Sequence, residues 1–137
     1  MVSDPPRVVL DSNLLISSYT FGGNPRKIFK LIIGEQIFGV TSRDLTNEFL
    51  GVLRKKFGVT EPDILQIENE MTSLFQITYP KQLLNILRDK DDNRVLEAAI
   101  EGKCDYIVTG DNDLLEIGKF KNIQIVTASQ FLDIFKT

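Results

Sequence analysis

Short apolar runs alternate with stretches of helical periodicity along almost the whole chain, and this limits the fold more than any other feature of the sequence. Arg7 to Leu10, Gln36 to Val40, Phe75 to Tyr79, Asp105 to Thr109 and Ile123 to Val126 each read as a strand. The first two are apolar without alternation, as expected of strands covered on both faces. Helical segments lie between them. Leu14 to Tyr19 forms a short one, the Gly22-Gly23-Asn24-Pro25 cluster interrupts it, and Pro25 to Ile33 resumes through Ile28, Phe29, Ile32 and Ile33. Thr41-Ser42-Arg43-Asp44 resembles a capping box and opens a helix whose apolar face carries Leu45, Phe49, Val52 and Leu53 and which Gly58 ends. A further helix restarts at Thr60 to Asp63 and runs to Leu74. Pro80 to Asp91 reads as extended chain or loop. Asp92 to Glu101 and Asp111 to Ile117 are helical, and Thr127-Ala128-Ser129-Gln130 caps a last helix that uses Phe131, Leu132 and Phe135. Strands alternating with helices in this way predict a three-layer α/β/α fold around a mostly parallel sheet.

A chain of 137 residues, 42% of them hydrophobic, suits one domain spanning residues 1–137 with a real core. No apolar run is long enough to cross a bilayer, and the opening residues lack the basic end and apolar stretch of a signal peptide, so a cytoplasmic protein is expected. Cys104, the sole cysteine, has no internal disulfide partner and reads as a small core residue. There is no histidine. That absence excludes Ser-His-Asp and Cys-His hydrolysis and any cleavage by a paired histidine acid and base. Hydrolytic chemistry must run on carboxylates, lysine, tyrosine or metal. A net charge of -3 argues against a nucleic-acid binder that relies on overall basicity, while leaving local patches open.

The acids fall where such a fold puts its ligands, outside the carboxyl ends of the strands. Val8-Val9-Leu10 runs into Asp11, and Tyr106-Ile107-Val108-Thr109-Gly110 runs into Asp111, with Asp113 just beyond. For either aspartate alone, capping the next helix is an equally good reading; two at the same edge point to a site. Glu48 lies among Leu45, Phe49, Val52 and Leu53 on the apolar helix face. A carboxylate there is paired, protonated or a metal ligand, and Arg43 and Lys55 are the available cations for the first of these. Among Asp89, Asp91 and Asp92, periodicity selects Asp92, which shares a face with Val95, Leu96 and Ala99. Asp89 and Asp91 read as loop and helix-cap acids.

These segments together resemble the PIN domain family. The resemblance rests on Val9-Leu10-Asp11-Ser12-Asn13, on Glu48, on the run from Asp91 to Ala99, and on the run from Asp105 to Leu115, in that family's order. It is nearest to the subgroup of toxins from toxin-antitoxin systems, including the terminal Ile125-Val126-Thr127 and Phe131-Leu132. It implies a metal-dependent ribonuclease with Asp11, Glu48, Asp92 and Asp111 as catalytic acids and metal ligands. Asp113 is then an accessory ligand, and Asn13 and Thr109 are polar neighbours. Ser12 stands where threonine is commoner, and Asp91 is the alternative third acid. Further implications are RNA products with 5'-phosphate and 3'-hydroxyl ends, an inhibiting antitoxin partner and a homodimer. Oxygen-only ligands select one or two Mg2+ or Mn2+ ions rather than zinc.

Arg43, Arg54, Lys55 and Lys56 are candidate phosphate contacts, though basic residues at a helix end also complement its dipole. Tyr19 and Phe21 are candidates to stack on bases, with core packing as the plainer role. Two other readings are a catalytically silent RNA-binding or scaffold domain and a receiver-like phosphoacceptor domain. The second needs a lysine after a later strand, where Val126-Thr127-Ala128 offers none.

Overall fold

The computed structural model describes residues 4–135, so expectations resting on residues 1–3 lie outside the described residues. Its elements are β1 (Arg7–Leu10), α1 (Ser12–Thr20), α2 (Gly23–Ile33), β2 (Phe38–Ser42), α3 (Arg43–Phe57), α4 (Glu61–Leu74), β3 (Phe75–Thr78), α5 (Lys90–Glu101), β4 (Tyr106–Val108), α6 (Asn112–Ile117), β5 (Lys119–Phe120), β6 (Ile123–Val126) and α7 (Ala128–Ile134). They build an α/β fold on one sheet with strand order β3-β2-β1-β4-β6-β5. All pairings are parallel except that of β5 with β6.

β1 is central, and its side chains divide between two cores. Val8 and Leu10 join Leu15, Ile28, Phe49, Ile64 and Phe131, which come from α1, α2, α3, α4 and α7. Val9 points the other way and joins Leu45, the α5 residues Val95, Leu96 and Ala99, and Leu114 of α6. Period-two alternation in a strand with both faces covered thus produces the three layers.

The chain moves outward from β1 to β2 to β3 on one side and from β4 to β6 on the other. The switch point therefore falls between β1 and β4, where open α/β sheets form a crevice at their carboxyl edge. Asp11 and Asp111 follow these two strands. The same order excludes the receiver-like alternative. That class places its third strand beside the first, whereas here β3 lies beyond β2.

Several expected boundaries move. β2 starts at Phe38 rather than Gln36, because the chain first turns through Glu35 in a left-handed conformation (φ 60). α3 is capped by Ser42, which accepts from the Leu45 N–H without the reciprocal bond; a full reciprocal box occurs at Thr127 and Gln130. Ile33 is 53% exposed and is not part of the helix's buried face. The short antiparallel β5 was not anticipated from the sequence. Gly58 ends α3 in the left-handed conformation that glycine accommodates without strain. Among the described residues no helix is long and apolar enough to cross a membrane.

Candidate metal centre

Each of the two switch-point aspartates is a helix cap as well as a member of an acid cluster. Asp11 leaves β1 in extended conformation, and its Oδ1 accepts from the Leu14 N–H at 2.9 Å. Asp111 precedes α6, and its Oδ2 accepts from the Leu114 N–H at 3.1 Å. Thr109, wholly buried between them, couples the two strand ends. Its hydroxyl donates to Asp11 Oδ2 and its oxygen accepts from the Asp111 N–H at 3.0 Å. Each carboxylate oxygen has two lone pairs, so these bonds orient the groups without exhausting them.

Asp92 comes from the first turn of α5, whose cap is Asp89, bonded through its side chain to the Asp91 N–H at 2.9 Å. Carboxylate oxygens of Asp92, Asp111 and Asp113 lie within 4.8 Å of one another. Asp92 Oδ2 is buried without a hydrogen-bond partner. A carboxylate that has a buried, unpartnered oxygen and stands among two further carboxylates is costly unless a cation neutralises the group. The Asp92 carboxyl is accordingly pushed up to about 7, by burial first, then by the charges of Asp111 and Asp89, a hydrogen bond with Asp111, and Asp113.

Asp11 and Glu48 extend the cluster. Burial raises the Asp11 pKa, with the Asp111 charge adding to it and bonds from Thr109, Leu14 and Gly110 opposing it. Burial also raises the Glu48 pKa, aided by the charges of Asp91, Asp11 and Asp89 and opposed by a hydrogen bond with Ser12. Glu48 is half-buried rather than buried. Its expected alternative, an ion pair with Arg43 or Lys55, does not form: among the described residues the ion pairs are Arg54–Glu61 and Arg94–Glu97. Asp91 is exposed and acts on Glu48 through its charge, whereas Asp92 is the α5 acid among the converging oxygens. The donor set is all oxygen, which fits a hard divalent cation. Cys104 is buried in the core beside β4, with its thiol pushed up to about 12 by burial.

Two supporting residues were not identified from the sequence. Asn93 is 1% exposed and holds the irregular segment before α5. Its Oδ1 accepts from the Ile86 and Leu87 N–H groups at 3.1 and 2.9 Å, and its Nδ2 donates to the carbonyls of Leu87 at 2.9 Å and Asp89 at 3.3 Å. Glu97, one turn on, accepts from the Leu84 N–H at 2.7 Å. Polar residues at i and i+4 on the buried face of α5 were the available signal. Asn93→Ala leaves several backbone groups without partners, so a loss of about 1–3 kcal/mol is expected in urea unfolding, with faster amide exchange at Ile86 and Leu87. Unchanged exchange there would remove Asn93 from this role.

Residues 7–113, a span that opens at β1 and closes on Asp113, match the PIN domain family. The chain belongs to the PIN domain family. Uncharacterized protein MJ1680 of Methanocaldococcus jannaschii is 33% identical to this PIN domain over 143 residues, covering 95% of this chain and 92% of that protein. The crystal structure of PAE2754 from Pyrobaculum aerophilum shares the fold with a TM-score of 0.58 at 17% identity, covering 96% of this chain and 90% of that one. PIN domains are in general nucleases and typically use divalent metals. The acid cluster is a place in this PIN domain where a cation can be held.

Proposed function

We propose that this PIN domain is a magnesium- or manganese-dependent ribonuclease that hydrolyses RNA phosphodiester bonds. The observation that carries this reading is the convergence of the Asp92, Asp111 and Asp113 carboxylates at the switch point of the sheet, where Asp92 also keeps a buried oxygen, Oδ2, without a hydrogen-bond partner. Asp92, Asp111 and Asp113 would hold the cation, with Asp11 alongside and oriented by Thr109. Bound there, a divalent cation supplies activation of water for in-line attack and neutralisation of charge on the leaving oxygen. Glu48 lies beside Asp11 with a raised pKa and no cation partner, and would orient the attacking water through its carboxylate. With no histidine in the chain, attack by water rather than by the neighbouring 2'-hydroxyl is the chemistry these side chains serve.

The surface near the cluster supports a polyanionic substrate. Lys55 and Lys56 line a groove of about 280 Å³ with Asn47, Glu48, Gly51 and Val52. Arg54, another candidate phosphate contact, is instead engaged by Glu61 at 2.8 Å. Tyr19 takes its core role, with its ring 5.3 Å from both Phe29 and Phe49 and its hydroxyl bonded to Glu70. Phe21 is 78% exposed and remains available to a base. The resemblance to PIN-type toxins supports a role as the toxin of a toxin-antitoxin pair, restrained by a cognate antitoxin and assembled as a homodimer.

The test is cleavage of end-labelled single-stranded and structured RNAs in manganese, magnesium or EDTA, with the product ends identified. Metal-dependent cleavage to 5'-phosphate and 3'-hydroxyl ends is expected. Cyclic phosphate ends, or cleavage that persists in EDTA, would contradict the proposal, and an inert wild type would favour a scaffold role.

A further inference from the structure

α6 and the irregular segment before α5 flank an open cavity of about 420 Å³ on the surface, lined by Ile86, Leu87, Arg88, Asp113, Glu116 and Ile117. A space of this size falls in the range of small-molecule sites, about 300–1,000 Å³. Asp113 belongs both to this cavity and to the acid cluster, so an occupant would sit directly beside the reacting phosphodiester.

The wall has three chemistries. Ile86, Leu87 and Ile117 present apolar surface, and Ile86 is 52% exposed, more than a core role requires. Arg88 contributes a guanidinium that takes part in neither ion pair found among the described residues. Glu116 contributes a carboxylate that can only accept hydrogen bonds while ionised. This wall is also held in place: Asn93 fixes the backbone of Ile86 and Leu87, and Glu97 fixes that of Leu84. A segment without regular structure, pinned by two buried polar side chains, is preorganised to present its side chains.

We infer that this cavity is a nucleotide subsite that receives the base next to the scissile phosphodiester and favours bases carrying an amino group. The inference rests on the ribonuclease reading and specifies its substrate as unpaired RNA. The base lies against Ile86, Leu87 and Ile117, Arg88 binds an adjacent phosphate, and Glu116 accepts from the exocyclic amine of adenine, cytosine or guanine. Uracil offers only its ring N3–H, flanked by two carbonyl oxygens that the carboxylate repels, and is disfavoured. A base seated here must leave its helix, so duplex RNA is a poor substrate.

The experiment has two arms, each on the full chain with magnesium or manganese, using wild type, Arg88→Ala and Glu116→Gln. The first titrates AMP, CMP, GMP and UMP and follows the amide signals of Ile86 and Ile117 by NMR. The second cleaves a randomised single-stranded RNA, reads the bases flanking the cuts, and separates KM from kcat. UMP should bind most weakly of the four, and uridine should be depleted on one side of the cuts. Arg88→Ala should weaken nucleotide binding and raise KM by about tenfold, as expected for one charged hydrogen bond, with kcat little changed. Glu116→Gln should abolish the discrimination against uridine, because an amide both donates and accepts. Cleavage without base bias, with both variants behaving as wild type, would overturn the subsite and leave the ribonuclease standing. Discriminating nucleotide binding that requires Arg88, without RNA cleavage, would keep the pocket and overturn the ribonuclease. Failure of both arms would overturn both.

Discussion

Asp11→Asn is expected to reduce metal-dependent RNA cleavage by on the order of a thousandfold while leaving the protein folded. The side chain has two duties that the substitution separates. As the cap of α1 it accepts from the Leu14 N–H, and asparagine caps helices about as well as aspartate. Leu14 bonds Oδ1 and Thr109 bonds Oδ2, so with the amide oxygen kept on the cap the Nδ2 group meets the Thr109 oxygen and must donate to it instead. The charge is lost, and the bond with Thr109 reverses its direction. Because burial raises the Asp11 pKa, that charge is an unfavourable feature of the metal-free fold, and removing it should leave the variant at least as heat-stable as wild type without metal. Circular dichroism melting and single-turnover cleavage on one preparation would check both halves. A variant that melts much earlier would show a structural role, and one that cleaves normally would remove Asp11 from the site.

The second large effect concerns pH. Asp92 titrates near 3.8 when unfolded and is pushed up to about 7 in the fold, so between those values the folded protein binds a proton that the unfolded chain releases. The stability this confers is complete below about 3.8 and is lost as pH rises through about 7. Asp11 and Glu48 are shifted in the same direction and add to the trend. The groups facing Asp92 are Asp111, Asp89 and Asp113, all acidic, so no neighbouring cation among them reverses the sign. Without metal, the melting temperature should therefore fall between acidic and neutral pH. Magnesium or manganese should restore it most strongly at the high end, by about 2.7 kcal/mol at a hundredfold excess over Kd. A melting temperature that rises through this range in EDTA, or a metal effect independent of pH, would contradict the charged cluster.

The parts legible in the sequence are those with a local signature. Asp11 and Asp111 are legible because apolar runs lead into them, and the structure shows why: the strands end at the switch point, and Asp11 directly after β1 and Asp111 shortly after β4 cap the helices that follow. Asp92 followed from helical spacing. Glu48 lies on α3 as its spacing requires, and of the readings open for it the ion pair with Arg43 or Lys55 does not form, since the fold brings Ser12 and further acids instead. Periodicity reports which way a side chain leans and says nothing about which distant element it meets. β2 was set two residues early because Ile37 is only 2% exposed yet lies outside the strand, so its apolarity reported burial rather than pairing. Asn93 and Glu97 are legible only as polar residues on the buried face of α5, because the backbone groups they hold belong to an irregular segment that leaves no pattern of its own in the side chains.

The central claim, that these carboxylates form a metal centre, is tested most directly by titrating Mn2+ into wild type and Asp92→Asn and following free manganese by electron paramagnetic resonance. The account predicts saturable binding to wild type with release of protons near neutral pH, and an affinity at least about tenfold weaker in the variant. Manganese left free by the wild type, or bound equally well by both proteins, would contradict it.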